Sequence, residues 1–200
     1  AELRGLNLLR RVFLKEPGKD LLEEIEKMNP APAEGEELEG LLLMCSAARR
    51  NEGRLPEWAE QLSLEFARLF LGPAHPPAIP YASFYLSESR SLMTEETLDV
   101  RKRYLEAGLV VKDLHRIPDD HIGIELDFLY YLTTRYLELS EIGQGPEAEH
   151  FLKIRHDFLK DHFTLWAPLF ADRILESTQE EFYRGTASFL LELVDYYQNV

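Results

Sequence analysis

Apolar residues recur every three or four positions along most of this chain, and strand-type alternation is scarce. Leu3, Leu6, Leu9, Val12, Phe13 and Leu14 mark a first amphipathic helix that stops at Pro17-Gly18. A short second helix is predicted from Leu21 to Met28, capped by Asp20 and broken by Asn29-Pro30-Ala31-Pro32. A third runs from Glu36 to Asn51 with Leu38, Leu41, Leu42 and Cys45 inward. Pro56 opens a fourth, from Glu57 to Leu71, which carries Trp58, Leu62, Phe66, Leu69 and Phe70 and closes at Gly72. Thr94 caps a fifth that ends near Ala107. Three more are predicted from Pro118 to about Leu139, from Glu147 to Lys160, and from about Thr178 to Gln198. The fold class is all-α, with an N-terminal helical subdomain at 1–108, a hinge at 109–117 and a C-terminal helical subdomain at 118–200.

Two stretches depart from this pattern. Residues 72–86 hold four prolines in nine positions, which excludes helix there and keeps the backbone extended. Yet Ile79, Tyr81, Phe84, Tyr85 and Leu86 are too apolar for a solvated linker. Such a loop either lines a peptide groove with aromatic faces or packs over the core. The second stretch is Ile117-Pro118-Asp119-Asp120-His121-Ile122-Gly123-Ile124-Glu125. Pro118 suits a first helical turn, Asp119 and Asp120 suit its free N–H groups, and His121 and Glu125 stand four apart on one face. Taken alone, this is equally an ordinary capped helix start.

Composition narrows the function. The chain has 200 residues and a formal charge of −14, which repels a phosphate backbone and excludes nucleic acid as a partner. Residues 117–200 hold 6 Lys/Arg against 16 Asp/Glu, whereas residues 1–116 hold 16 against 20. The negative field therefore gathers in the second half, where it steers a basic peptide or simply keeps the protein soluble. Cys45 is the single cysteine and lies in an apolar run, as a buried structural thiol does. No stretch has the length of a membrane span or a signal peptide, so a cytoplasmic protein without stable membrane insertion is expected. No nucleophile elbow, phosphate-binding glycine loop or zinc motif appears, so neither a cofactor nor a metal site is expected. His121 with Glu125, Asp157 with Asp161, and His156 with His162 fall short of the three or four ligands a metal needs. His162, beside Phe163 and near Trp166, reads as a packing histidine.

Three runs in fixed order carry a resemblance. Phe70-Leu71-Gly72-Pro73 followed by Pro80-Tyr81-Ala82-Ser83-Phe84-Tyr85 is similar to the Phe-x-Gly-Pro and Pro-aromatic-x-Ser-x-aromatic runs of the TorD/DmsD/NarJ family. These are cytoplasmic chaperones that mature molybdenum redox enzymes. Pro118-Asp119-Asp120-His121 with Glu125 resembles the family's P-x-D-H-x-x-x-E motif, except that Ile117 stands where a Glu is usual. Phe158-Leu159 with His162, Trp166 and Pro168 resembles its Phe-Leu-x-x-His-(x)3-Trp-x-Pro segment. The resemblance spans roughly residues 60–190. It implies the bundle-like fold of that family and a chaperone, not an enzyme. Its partners would be the leader peptide, of twin-arginine type, and the catalytic subunit of a molybdenum-containing oxidoreductase. It implies a peptide-binding region made by the two unusual stretches, with Tyr81, Ser83, Phe84, Tyr85, Pro118, Asp120, His121 and Glu125 as its residues. Some relatives form domain-swapped dimers, so a monomer and a swapped homodimer both stand. The competing readings are a metal-dependent helical enzyme (a hydrolase or di-iron oxidase) and a helical adaptor without peptide specificity.

Overall fold

The computed structural model describes residues 2–30, 38–72, 75–110 and 117–199. They form α1 (Glu2–Leu14), α2 (Lys19–Lys27), α3 (Glu39–Arg50), α4 (Leu55–Phe66), α5 (Ala82–Leu86), α6 (Glu95–Glu106), α7 (Ile122–Glu141), α8 (Gly145–Phe158), α9 (Thr164–Ser177) and α10 (Glu181–Asn199). Single π-helical turns, Ala67–Leu71 and Leu159–Phe163, extend α4 and α8. Among the described residues there is no strand beyond an isolated bridge, so the all-α expectation holds. None of these helices is long and apolar enough to cross a membrane.

The helices gather into two compact units, and neither is a continuous stretch of chain. One comprises Ala1–Leu14 with Pro80–Ala167, the other Lys15–Ile79 with Pro168–Val200. These part at other places than the sequence division at 109–117, because α1 packs on α7 and α3 on α10. Residues 111–116 of the expected hinge lie outside the described residues.

In the first unit, α1 buries Leu6, Leu9, Val12 and Phe13, and α7 buries Ile122, Leu126, Phe128, Leu129 and Leu132. Helix α8 also packs on α7, where Phe128 meets Phe158 edge-on at 5.1 Å. Arg155 ties the three together, reaching Thr133 on α7 at 3.0 Å and Glu2 on α1. Arg155 and Glu2 are both largely buried, where a charge-assisted bond contributes more than it would at an open surface.

In the second unit, α3 and α10 cross backbone to backbone. A Cβ at Gly40 would lie 2.6 Å from Gly185 O and closer still to Phe189 N, so only glycine fits. This corrects the expected inward face of α3. The buried side is Gly40, Met44, Cys45, Ala47 and Ala48, while Leu42 is exposed and Leu38 and Leu41 are only half-buried. Gly40 and Met44 meet Gly185 of α10, where the two helices approach too closely for a leucine at position 40. Cys45 is buried as expected, and burial raises its thiol pKa.

The N-terminus of α3 is capped from α10. Leu38, its N-cap, offers no side-chain acceptor, and Glu192 Oε1 accepts from Gly40 N at 2.8 Å instead. Glu192→Ala is therefore expected to cost about 1 kcal/mol, the usual loss on removing a cap, while Glu192→Gln keeps an acceptor and costs less. Urea denaturation of both variants checks this, and equal losses would show that the bond is not the cause. At the C-terminus of α9, Arg68 donates to Ser177 O at 2.6 Å, and Arg184 donates to Leu175 O at 2.9 Å and Thr178 O at 3.2 Å. Cations placed there satisfy the last carbonyls and oppose the negative end of the helix dipole.

Two expected caps differ. Gly18, not Asp20, precedes α2, and Asp20 lies within its first turn. Helix α7 begins at Ile122, not Pro118, with His121 as its N-cap. The residues from Pro118 to His121 are held by other partners, described next.

Candidate functional site

The Pro-rich loop from Pro80 onward and the Asp-His segment lie in the same unit and are stitched together. Tyr81 and His121 form an isolated antiparallel bridge. Ile122 N donates to Pro80 O at 2.9 Å, and Ala82 N donates to Asp120 O at 3.0 Å. Each of the bridged residues immediately precedes a helix, so the bridge clamps the starts of α5 and α7 side by side. The rings of Tyr81 and His121 meet edge-on at 5.2 Å.

The capping is crosswise. Tyr81 has no side-chain cap for α5, and Asp120 Oδ2 accepts from Ser83 N at 2.8 Å in its place. This external carboxylate accounts for a single helical turn standing directly after a proline-rich run. His121 caps α7 through Nδ1, which accepts from Gly123 N at 3.0 Å. That bond requires an unprotonated Nδ1, so the ring is neutral with its proton on Nε2. Burial drives the His121 pKa down to about 4, with the Asp120 charge pulling it upward. Burial and the same charge raise the Tyr81 hydroxyl pKa.

Asp119 turns the other way. It is buried, pairs with Arg101 of α6, and its carbonyl accepts from the Tyr104 hydroxyl at 2.8 Å. Burial, with Glu125 and Asp119 nearby, pushes the Tyr104 hydroxyl well above its ordinary pKa. Asp120 Oδ1 and Ser83 Oγ are buried and meet no hydrogen-bond partner among the described residues.

Glu125 lies a turn into α7 and is fully buried. Its Oε1 meets His162 Nε2 at 2.7 Å and its Oε2 accepts from Trp166 Nε1 at 2.9 Å. Burial raises the Glu125 pKa, against the pull of His162 and Trp166. The indole of Trp166 in turn stacks on Tyr85, centroids 5.7 Å apart and planes 29° from parallel. Phe84 meets Tyr85 edge-on at 5.2 Å. The pairs Tyr81–His121, Ser83–Asp120, Tyr85–Trp166 and Glu125–His162 thus bring residues of all three sequence runs, the first from Pro80 onward, into one cluster.

All eight expected site residues fall in this cluster, but in two classes. Tyr81, Phe84, Tyr85 and Pro118 are partly exposed, whereas Ser83, Asp120, His121 and Glu125 are buried. His121 and Glu125, four apart at the start of α7, do not pair with each other: each is drawn inward by a different partner. Asp120 and Glu125 likewise do not present carboxylates to solvent. Sequence reasoning missed Arg101, Tyr104, His162 and Trp166 as members. For His162 and Trp166 the signal was available, since one run held a histidine and an indole four apart beside a glutamate motif lacking a partner. For Arg101 and Tyr104 no local signal existed. Among the described residues, no group of three or more His, Cys, Asp or Glu is placed to hold a metal ion.

The family described as "Nitrate reductase delta subunit" matches residues 31–172, a span that contains the whole cluster. Curated relatives include the "Chaperone protein TorD" of Aliivibrio salmonicida, 33% identical over 135 residues, covering 68% of this chain and 61% of that protein. The protein of the same name from Vibrio parahaemolyticus is 32% identical over 142 residues, covering 71% and 62%. That of Vibrio cholerae is 28% identical over 135 residues, covering 67% and 59%. The matched part therefore spans about three fifths of these relatives' own length.

Proposed function

Because this chain belongs to the nitrate reductase delta subunit family, the family of TorD and NarJ, we propose that it is a chaperone for the catalytic subunit of a molybdenum-containing oxidoreductase. In this reading it works in the cytoplasm, binds the subunit's leader peptide, of twin-arginine type, and holds the subunit until its cofactor is inserted. One observation carries it: the aromatic loop and the Asp-His helix start fold against each other, leaving Tyr81, Phe84, Tyr85 and Pro118 partly open beside a buried polar frame.

The division of labour follows from burial. The open aromatic faces would cover the apolar part of a leader helix. Ser83, Asp120, His121 and Glu125 would hold those faces in position. The arginines of the leader would be drawn by the acidic field of residues 117–200, where 16 Asp/Glu face 6 Lys/Arg. An attraction of that kind weakens as salt shortens its range.

A second reading has Asp120 receive a leader guanidinium directly. It is favoured by Asp120 Oδ1 and Ser83 Oγ, buried without partners among the described residues, since an unmet buried polar atom costs about 1–3 kcal/mol. Titrating a synthetic twin-arginine leader peptide into Asp120→Ala and Asp120→Asn separates the two. Asparagine still offers Ser83 N an acceptor but carries no charge. The capping role predicts that alanine weakens binding by at least about fivefold and asparagine by less than about twofold. Equal losses would move Asp120 into direct contact with the arginine. No binding by the wild-type chain would end the leader-peptide reading.

A further inference from the structure

Glu125 sits on an amphipathic helix yet is fully buried, and both its oxygens are engaged from one neighbouring segment. His162 lies in the π-helical turn Leu159–Phe163, and Trp166 follows four residues later on α9, so both side chains reach the same carboxylate. His162 is itself buried and lies against the Phe158 ring at 5.1 Å. An indole has one N–H donor, so the bond to Glu125 fixes the rotation of the Trp166 ring. The face thus fixed is the one on which Tyr85 stacks, and Tyr85 sets the edge-on position of Phe84.

We propose that Glu125, His162 and Trp166 act as one positioning unit that fixes Tyr85 from inside the core. Glu125 and His162 thereby govern peptide affinity without touching the peptide. The affinity half of this rests on the leader-peptide reading; the placement of Tyr85 does not. The carboxylate is the hinge of the arrangement, because it bonds both the turn that bears His162 and the indole that bears the stack. Stacked and edge-on aromatic pairs gain from defined geometry, so a small rotation of Trp166 carries through to the open faces of Tyr85 and Phe84. A residue acting only on global stability would not show its effect through Tyr85.

The test is a double-mutant cycle on the full chain. A synthetic leader peptide with paired arginines and an apolar helical stretch is titrated by calorimetry into wild type, Glu125→Gln, Tyr85→Ala and the double variant. In parallel, near-ultraviolet circular dichroism is recorded without peptide in a Trp58→Phe background, where Trp166 is the remaining indole. Glu125→Gln is expected to weaken binding about fivefold alone and less than about twofold once Tyr85 is alanine. It is also expected to reduce the near-ultraviolet signal to that of Tyr85→Ala. Additive losses in affinity, or a wild-type spectrum and affinity for Glu125→Gln, overturn the proposal. If wild type fails to bind the peptide, the functional reading falls and the spectra decide the positioning unit alone. Should Glu125→Gln fail to fold, His162→Gln takes its place, with the same outcomes required.

Discussion

Gly40→Ala is expected to lower stability by about 3 kcal/mol, the upper end of what overpacking a well-packed interior costs. The added methyl would sit 2.6 Å from Gly185 O, 2.7 Å from Phe189 Cα and closer still to Phe189 N, all of them backbone atoms. No rotamer change relieves such a clash, so α3 and α10 must move apart. Moving apart also strains the Glu192 cap, which reaches Gly40 N at 2.8 Å from α10. For a domain whose whole stability is of order 5–15 kcal/mol, that is a large share. The matched control is Gly18→Ala, where a Cβ meets nothing within 4 Å and φ is an ordinary −86°. Urea midpoints by far-ultraviolet dichroism read both. A Gly40→Ala midpoint equal to that of the Gly18 control would show that the two helices are free to separate.

Acid is expected to weaken the fold through His121. Its pKa is about 4 when folded, below the 6.5 of the free side chain, so between these values the unfolded chain takes up a proton that the folded chain refuses. The contribution is therefore fully present above pH 6.5 and is lost as pH falls toward 4. At about 1.4 kcal/mol per unit of pKa difference, the loss approaches about 3 kcal/mol. Protonating Nδ1 also removes the acceptor for Gly123 N, which uncaps α7. Glu125 works in the opposite sense. Its folded pKa is raised above 4.5, so the folded chain takes up that proton first and gains stability as pH falls through the raised value. The two effects are separated by His121→Asn, which keeps a good capping acceptor and removes the titrating ring. Stability of wild type and variant, measured from pH 7 to 4, should diverge steadily in that window. Parallel curves would mean that His121 is not the acid-sensitive group.

Most of the helical content of the chain was legible because period and caps are local, although α9 (Thr164–Ser177) was not predicted. Even Pro56 at the start of α4 and Gly72 after its π turn stand where the sequence puts them. The π turns were not, since one wide turn inside a 3.6-residue pattern leaves the apolar spacing nearly unchanged. Helix α5 was hidden by the prolines before it and by a cap that comes from residue 120 rather than from its own flank. The inward face of α3 was misread because Leu41 and Leu42 outweigh Gly40 on any hydrophobic scale, while the close crossing with Gly185 is a distant contact.

The cluster was legible in the sequence as two stretches expected to meet, and illegible in its third part, since nothing there placed His162 and Trp166 beside them. Asp120 and Glu125 are acidic, and acids are almost never fully buried unless they are partnered, so a surface role was the natural expectation. Their partners, Ser83 N and the His162–Trp166 pair, lie 37 to 41 residues away in the chain. Only the fold brings them within bonding distance. The family resemblance names candidate residues without saying which of them face outward.

The interleaving of the two units bears on how the chain reaches its native state. Helix α1 finds its packing partner at residues 122–141, and α3, which also packs on α2, finds its main partner at residues 181–199. On a ribosome, both would emerge with an apolar stripe bare until about a hundred or more further residues had been made. Long-range closure of this kind is slow and exposes sticky intermediates. This protein should therefore be among those that lean on general folding helpers during synthesis.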